Sequence, residues 1–253
     1  MTASARSAVV CLTTVLLTIA GASADPIHDD LPHAVIQRAA GPIVIDGRLD
    51  EASWHAASMI DRFEFPWWTS GDRERTEVRL LWDDEALYVS FRAFDRHVSA
   101  VLTERDDPVS RDDCVEVFIA PDTSDVSSYF NFEFNALGTI LDRSPRSERS
   151  SGWNAEGVRV AVHVDGTLND EQDVDRLWTT EIAIPFDSFD GFSPRLPPVD
   201  GDVWRLNLYR TGGAVNLQYI AWSDTRTETP AFHVPERFGV VSFSSDSASG
   251  DGG

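Results

Sequence analysis

Lysine is absent from this chain. All 21 basic residues are arginine, against 42 aspartates and glutamates, so the formal net charge is −21. A surface of that sign repels phosphate backbones and anionic lipid, which argues against nucleic acid and membrane surfaces as partners. Cysteine is almost absent too. Of the two, Cys11 lies in an apolar leader, so a processed chain keeps Cys114 alone and has no intramolecular disulfide. A large single core does not need one. Cys114 alternates with Glu116 and Phe118 and reads as a small buried hydrophobe rather than a nucleophile. Long apolar runs are also missing. Ala8–Ala20 falls short of the roughly 20 residues of a membrane span. With Arg6 before it and Ala22-Ser23-Ala24 after it, the run reads as a secretory signal cleaved after Ala24. Cleavage removes Arg6 and no acid, which takes the charge from −21 to −22. The expected product is secreted or periplasmic, with no membrane insertion of the mature chain.

What the chain has is alternation. In Ser128–Asn135, Phe130, Phe132 and Phe134 share one face and Tyr129, Asn131, Glu133 and Asn135 the other, which is the period of a strand. Val78, Leu80 and Trp82 alternate in the same way with Glu77, Arg79 and Leu81. Ala86–Phe94 pairs back on them as a hairpin across Asp83-Asp84-Glu85. Cys114–Ile119, Gly157–Val164, Leu177–Ile184, Val203–Arg210, Leu217–Trp222 and Phe238–Phe243 add further strands. One helical turn is expected near Asp50–Ala57, with Asp50 as its cap and Trp54 and Ala57 facing inward. The reading is all-β: an antiparallel two-sheet β-sandwich, jelly-roll-like, of about 10–12 strands. The expected layout is a signal at 1–24, an extended lead-in at 25–40, the sandwich at 41–243 and a disordered Ser/Asp/Gly tail at 244–253.

The face opposite the phenylalanines carries amides, carboxylates and phenols, the groups that hydrogen-bond a polar neutral ligand. If neighbouring strands align, Glu116, Glu133, Asn131, Asn135, Arg205, Asn207 and Tyr209 form one polar surface. Trp67, Trp68, Trp153 and Phe232 fall in loops, where a ring is free to stack on the C–H face of a sugar. The bland alternative is an internal salt-bridge network under a covering loop, because partly buried carboxylates need partners in any case.

The ordered set of motifs is similar to a family 9 carbohydrate-binding module. It runs from Val44-Ile45-Asp46-Gly47, Leu49-Asp50-Glu51 and Trp54 through Thr76-Glu77-Val78, Trp82-Asp83-Asp84 and Leu87-Tyr88-Val89. It continues in Asp112–Phe118, Phe132–Asn135 with Gly138, Trp178–Pro185, Trp222-Ser223-Asp224 and Pro235–Gly239. The resemblance covers about Gly41 to Phe243. It implies a sandwich of two antiparallel sheets, sugar held between two aromatic rings above a concave polar face, and structural calcium. It places Glu116 at a sugar-binding carboxylate and Phe232 at one clamp ring. It also places Ser110 where the second ring is expected, and Glu133 where a basic residue is expected.

The resemblance implies binding rather than cleavage, with a saccharide or polysaccharide as ligand; the module is then either a free-standing binder or works beside a separate glycoside hydrolase. The rival functions are a protein-interaction module on a cell-surface complex, a glycoside hydrolase using Glu116 and Glu133, and a haem-binding sandwich. Haem has little support, since Met59 is the one methionine beyond the leader and the six histidines show no paired spacing. Calcium would draw on the acidic turns Asp83-Asp84-Glu85, Asp106-Asp107, Asp122–Asp125 and Asp170–Asp175.

Overall fold

The computed structural model describes residues 30–146 and 152–248. The expected signal peptide and its cleavage site, with Cys11, lie outside the described residues. In chain order the elements are β1 (His33–Ala39), α1 (Ala52–Ala56), β2 (Met59–Ile60), β3 (Thr76–Trp82), β4 (Ala86–Phe94), β5 (Cys114–Ala120) and β6 (Phe130–Asn135). They continue with β7 (Ile140–Arg143), β8 (Arg159–Asp165), β9 (Leu177–Pro185), β10 (Val203–Thr211), β11 (Tyr219–Ala221) and β12 (Gly239–Ala248). The all-β expectation and the strand count hold.

The arrangement differs from the expected pair of antiparallel sheets. All twelve strands belong to one hydrogen-bonded sheet in the order β7-β6-β5-β10-β12-β1-β3-β4-β9-β8, with β11 on β10 and β2 on β3. The reason is β1, which lies in the segment expected as a lead-in. It pairs in parallel with β12 along its whole length and in parallel with β3 at Gln37 and Arg38. One strand thus stitches an antiparallel half, β7 to β12, to a second antiparallel half, β3 to β8. The other end of the domain is corrected likewise. β12 runs to Ala248, five residues into the expected tail, and only 249–253 lie outside the described residues.

The sheet curls so that its two halves bury one face together. Val115, Val117, Phe130, Phe132 and Phe134 from one half share a single buried cluster with Val89, Phe91, Trp178 and Ile182 from the other. Phe130, Phe132 and Phe134 are fully buried, as are Val78, Leu206 and Leu208, in line with the period-2 reading. Such rings bury 150–250 Å² each and carry much of the driving force of the fold.

Outside the curl, the β3–β4–β9 half is covered by residues 43–57. Trp54 and Ala57 point inward with Leu49, Leu81 and Tyr88. The N-cap of α1 is Glu51 rather than Asp50, and it makes no side-chain cap; its carboxylate accepts the Val44 N–H at 2.9 Å instead. The Asp46-Gly47 turn is fastened from below. Glu181 accepts both of its N–H groups at 3.0 and 2.7 Å and the Trp54 indole N–H at 2.7 Å. Gly47 has φ +84°, and a Cβ there would lie 2.9 Å from the Val162 backbone, so only glycine closes this turn.

Candidate functional site

Outside the curl on the β5–β6–β10 half, the register is fixed by the ladder. Glu116 is paired directly with Glu133 on β6 and with Tyr209 on β10. The two carboxyl groups form the floor of a cleft of about 320 Å³. Thr211 lies beside them, Tyr219, Pro230, Ala231, Phe232 and His233 line one side, and Ser110 and Arg111 are also in the lining. Four positions singled out in the sequence, Glu116, Glu133, Phe232 and Ser110, are therefore brought together. Thr211 and Tyr219 were missed; their signal was the outward parity of β10 and the short apolar run at Leu217–Trp222.

The floor is short of partners. Glu116 is 2% exposed, and among the described residues its side chain has one hydrogen bond, a long one of 3.4 Å from the Thr211 hydroxyl. Glu133 is 7% exposed; Asn131 donates to its Oε1 at 3.0 Å, while its Oε2 is buried and unpartnered. Burial, and then repulsion from Glu133, pushes the Glu116 carboxyl well above the ordinary range. Burial also pushes Glu133 up to about 7, against the Asn131 hydrogen bond and the charge of Arg143. Like charges this close do not both ionise readily, so the pair titrates as a unit. A protonated carboxyl donates and an ionised one accepts, so together they offer both halves of a hydroxyl's hydrogen-bonding.

The aromatic wall has a support of its own. Phe232 stacks on Tyr209 with centroids 4.1 Å apart and planes inclined by 13°. Tyr219 meets Phe232 edge-on at 6.1 Å. Trp67 abuts both rings, at 6.1 Å from Tyr219 and 6.0 Å from Phe232, and donates its indole N–H to the Thr227 carbonyl at 2.8 Å. It buttresses the wall from outside the cleft lining.

Several residues expected on the polar floor are instead structural, because their polar atoms are spent. Asn207 holds Ser223 by a pair of hydrogen bonds, each 2.9 Å, and donates to the Tyr209 hydroxyl at 2.8 Å. Tyr209 is fully buried and its hydroxyl donates to the Phe232 carbonyl at 2.8 Å. Arg205 donates to the carbonyls of Phe238 and Glu236. These three anchor the 223–238 loop that carries Phe232. Asn135 accepts the N–H groups of Leu137 and Thr139 and donates to Asp112, closing the β6–β7 turn.

Asn131 touches the site only through Glu133; it also lines an adjoining cleft of about 260 Å³ with Tyr129, Arg143 and His233. Trp68 is exposed beneath the Arg73 guanidinium at 4.4 Å and is not in the cleft lining. Trp153 packs at 5.7 Å on Phe130, a ring of the inner core, so it lies away from the cleft.

Among the described residues, one trio has ligand atoms within metal-binding reach: Cys114, Glu116 and Glu133, mutually within 4.8 Å. Burial raises the Cys114 thiol well above its ordinary value and its Sγ faces the Val115 carbonyl, so it stays protonated. This is not the oxygen cage that calcium takes. In the acidic turns, Asp122 and Asp125 accept hydrogen bonds from their own loop serines. Asp173 differs, because its Oδ1 is buried without a partner.

A buried polar floor, a one-sided aromatic wall and a rigid sheet beneath them define a β-sheet binding module. The model of carbohydrate-binding family 9 matches residues 45–243, and the chain belongs to that family. The family is a non-catalytic carbohydrate-binding one. Solved structures agree on the fold. A protein from Bacteroides uniformis ATCC 8492 assigned as carbohydrate-binding matches with TM-score 0.66 and 22% identity, over 83% of this chain and 98% of its own. A family 9 module from Caldicellulosiruptor kristjanssonii in complex with cellotriose matches with TM-score 0.62 and 16% identity, over 85% and 95%. A family 9 module from the same organism with glucose gives TM-score 0.59 and 16% identity, over 86% and 100%. No curated protein matches the sequence.

Proposed function

We propose that this chain binds a saccharide in the Glu116–Glu133 cleft. The observation that carries the reading is the buried carboxyl pair lying in one cleft with the Tyr209-supported ring of Phe232. Carboxyl oxygens engage vicinal hydroxyls while the ring covers an apolar C–H face. The cellotriose and glucose complexes of the C. kristjanssonii modules support a sugar as the ligand class. With serine at position 110, the aromatic contact comes from the Phe232–Tyr219 side.

The wider reading is a secreted module, freed by cleavage after Ala24, that works beside a separate glycoside hydrolase in polysaccharide breakdown or uptake. Calcium belongs to the same proposal. Asp173, with its unpartnered buried oxygen, is the residue of the Asp170–Asp175 turn that would hold it. A melting temperature unchanged by chelator would remove that part. Mass measurement of the exported product tests the cleavage site.

A glycan array followed by calorimetric titration tests the main reading. Glu116→Gln and Phe232→Ala should each weaken the best array hit by about tenfold, as loss of a buried carboxyl contact or of a stacking ring worth about 1.4 kcal/mol implies. Folded variants that bind like wild type would place the site elsewhere.

A further inference from the structure

The floor of the cleft is electrostatically incomplete. Glu116 and Glu133 face each other on adjacent strands, both nearly inaccessible, and no cation is hydrogen-bonded to either among the described residues. Arg111 borders the cleft but is exposed. The charge of Arg143 reaches Glu133, yet its hydrogen bonds go to Asp106 and the Asp142 carbonyl. Glu133 Oε2 is buried in the cleft lining with no donor. A neutral saccharide would leave the two facing carboxyls in one small site with no cation bonded to either among the described residues. A ligand cation would satisfy both at once, because charge-assisted hydrogen bonds are about twice as strong as neutral ones. The cleft is also lined by Phe232 and Tyr219, and the face of an aromatic ring attracts an ammonium group. At net charge −21, with no lysine, the whole molecule draws cations toward the site.

We infer that the ligand is an amino sugar carrying a free ammonium group, held between Glu116 and Glu133 with its pyranose ring against Phe232. This rests on the saccharide reading above and names its substrate class. Ammonium offers three donors: one answers Glu133 Oε2, one answers Glu116, and the third is left for the Thr211 hydroxyl or solvent. An acetylated amine has a single N–H, no charge and an added acyl group, and supplies none of this.

The test is calorimetric titration of wild type near pH 7, where Glu133 is part ionised, and at low salt with three oligosaccharides of equal length: glucosamine, N-acetylglucosamine and glucose oligomers. The glucosamine oligomer should bind at least tenfold more tightly than either neutral one. Glu133→Gln should abolish that preference, and Glu116→Gln should do the same, so that the result does not hang on one variant. Equal or tighter binding of a neutral oligomer by wild type overturns the inference and leaves the saccharide reading standing. A preference for glucosamine that survives both substitutions also overturns it, since general acidity would then be the cause. Binding of none of the three, with no array hit, removes the saccharide reading as well. Titration with Mn²⁺, Zn²⁺ or Ca²⁺ alone completes the test: a stoichiometric signal lost in Glu133→Gln would make the pair a metal site and overturn the inference.

Discussion

Phe232 lies face to face with Tyr209, 4.1 Å between centroids, and the Tyr209 hydroxyl donates to the Phe232 backbone carbonyl. One buried residue therefore fixes both the ring and the main chain of the residue that walls the cleft. Phe232→Ala should weaken saccharide binding by roughly tenfold or more and lower stability by on the order of 1–2 kcal/mol through lost apolar contact. Trp68→Ala and Trp153→Ala, whose rings lie outside the cleft lining, should leave affinity within about twofold. Titration of the three variants against one array hit decides this. Equal losses in all three would mean that the cleft is not the site.

Asn207 makes no contact with the cleft but closes Ser223, Tyr209 and the loop around them. Asn207→Ala leaves buried backbone and hydroxyl groups without partners, at about 1–3 kcal/mol for each group left unsatisfied. The melting temperature should fall, hydrogen exchange across 223–238 should speed up, and binding should weaken as a consequence. Normal exchange in that loop would show that Asn207 is not its anchor.

Stability should depend on pH through Glu133. Its carboxyl is raised from 4.5 to about 7 by burial, facing Glu116 and Cys114 on β5, Asn131 on its own strand and Arg143 on β7. A raised carboxyl favours the folded state fully below its unfolded value, and that contribution is lost as pH rises through the folded value. Wild type should lose stability between about pH 4.5 and about pH 7 relative to Glu133→Gln, by on the order of 1–3 kcal/mol. Chemical denaturation of both proteins across the range measures it. A difference that does not grow with pH would contradict the burial argument.

Arg210 is fully buried between Glu74 at 3.1 Å and Asp95 at 2.8 Å. Arg210→Ala leaves two buried acids without their cation and should destabilise by about 3–5 kcal/mol. Adding Glu74→Gln and Asp95→Asn should recover part of the loss. A triple variant no more stable than the single one would show that lost packing, not unpaired charge, sets the cost.

The alternation of Phe130, Phe132 and Phe134 determined by itself which face of β6 is core, because side chains on a strand have only two directions. The same parity placed Glu116, Glu133, Asn135, Arg205, Asn207 and Tyr209 on the other face, and all of them are there. Parity carries no information on what each polar atom meets. Only the tertiary structure decided that Asn207, Tyr209 and Arg205 are consumed by the 223–238 loop and Asn135 by its own turn, leaving the two glutamates to line the cleft. Tyr219 escaped notice because β11 is three residues long, too short to show a period. The β1 strand was hidden for a related reason. His33–Ala39 has a polar, half-exposed pattern and looks like a tail, yet its backbone joins β12 to β3. Main-chain pairing leaves no mark on side-chain pattern, so whether the strands form two sheets or one was set by long-range hydrogen bonds that local sequence does not encode.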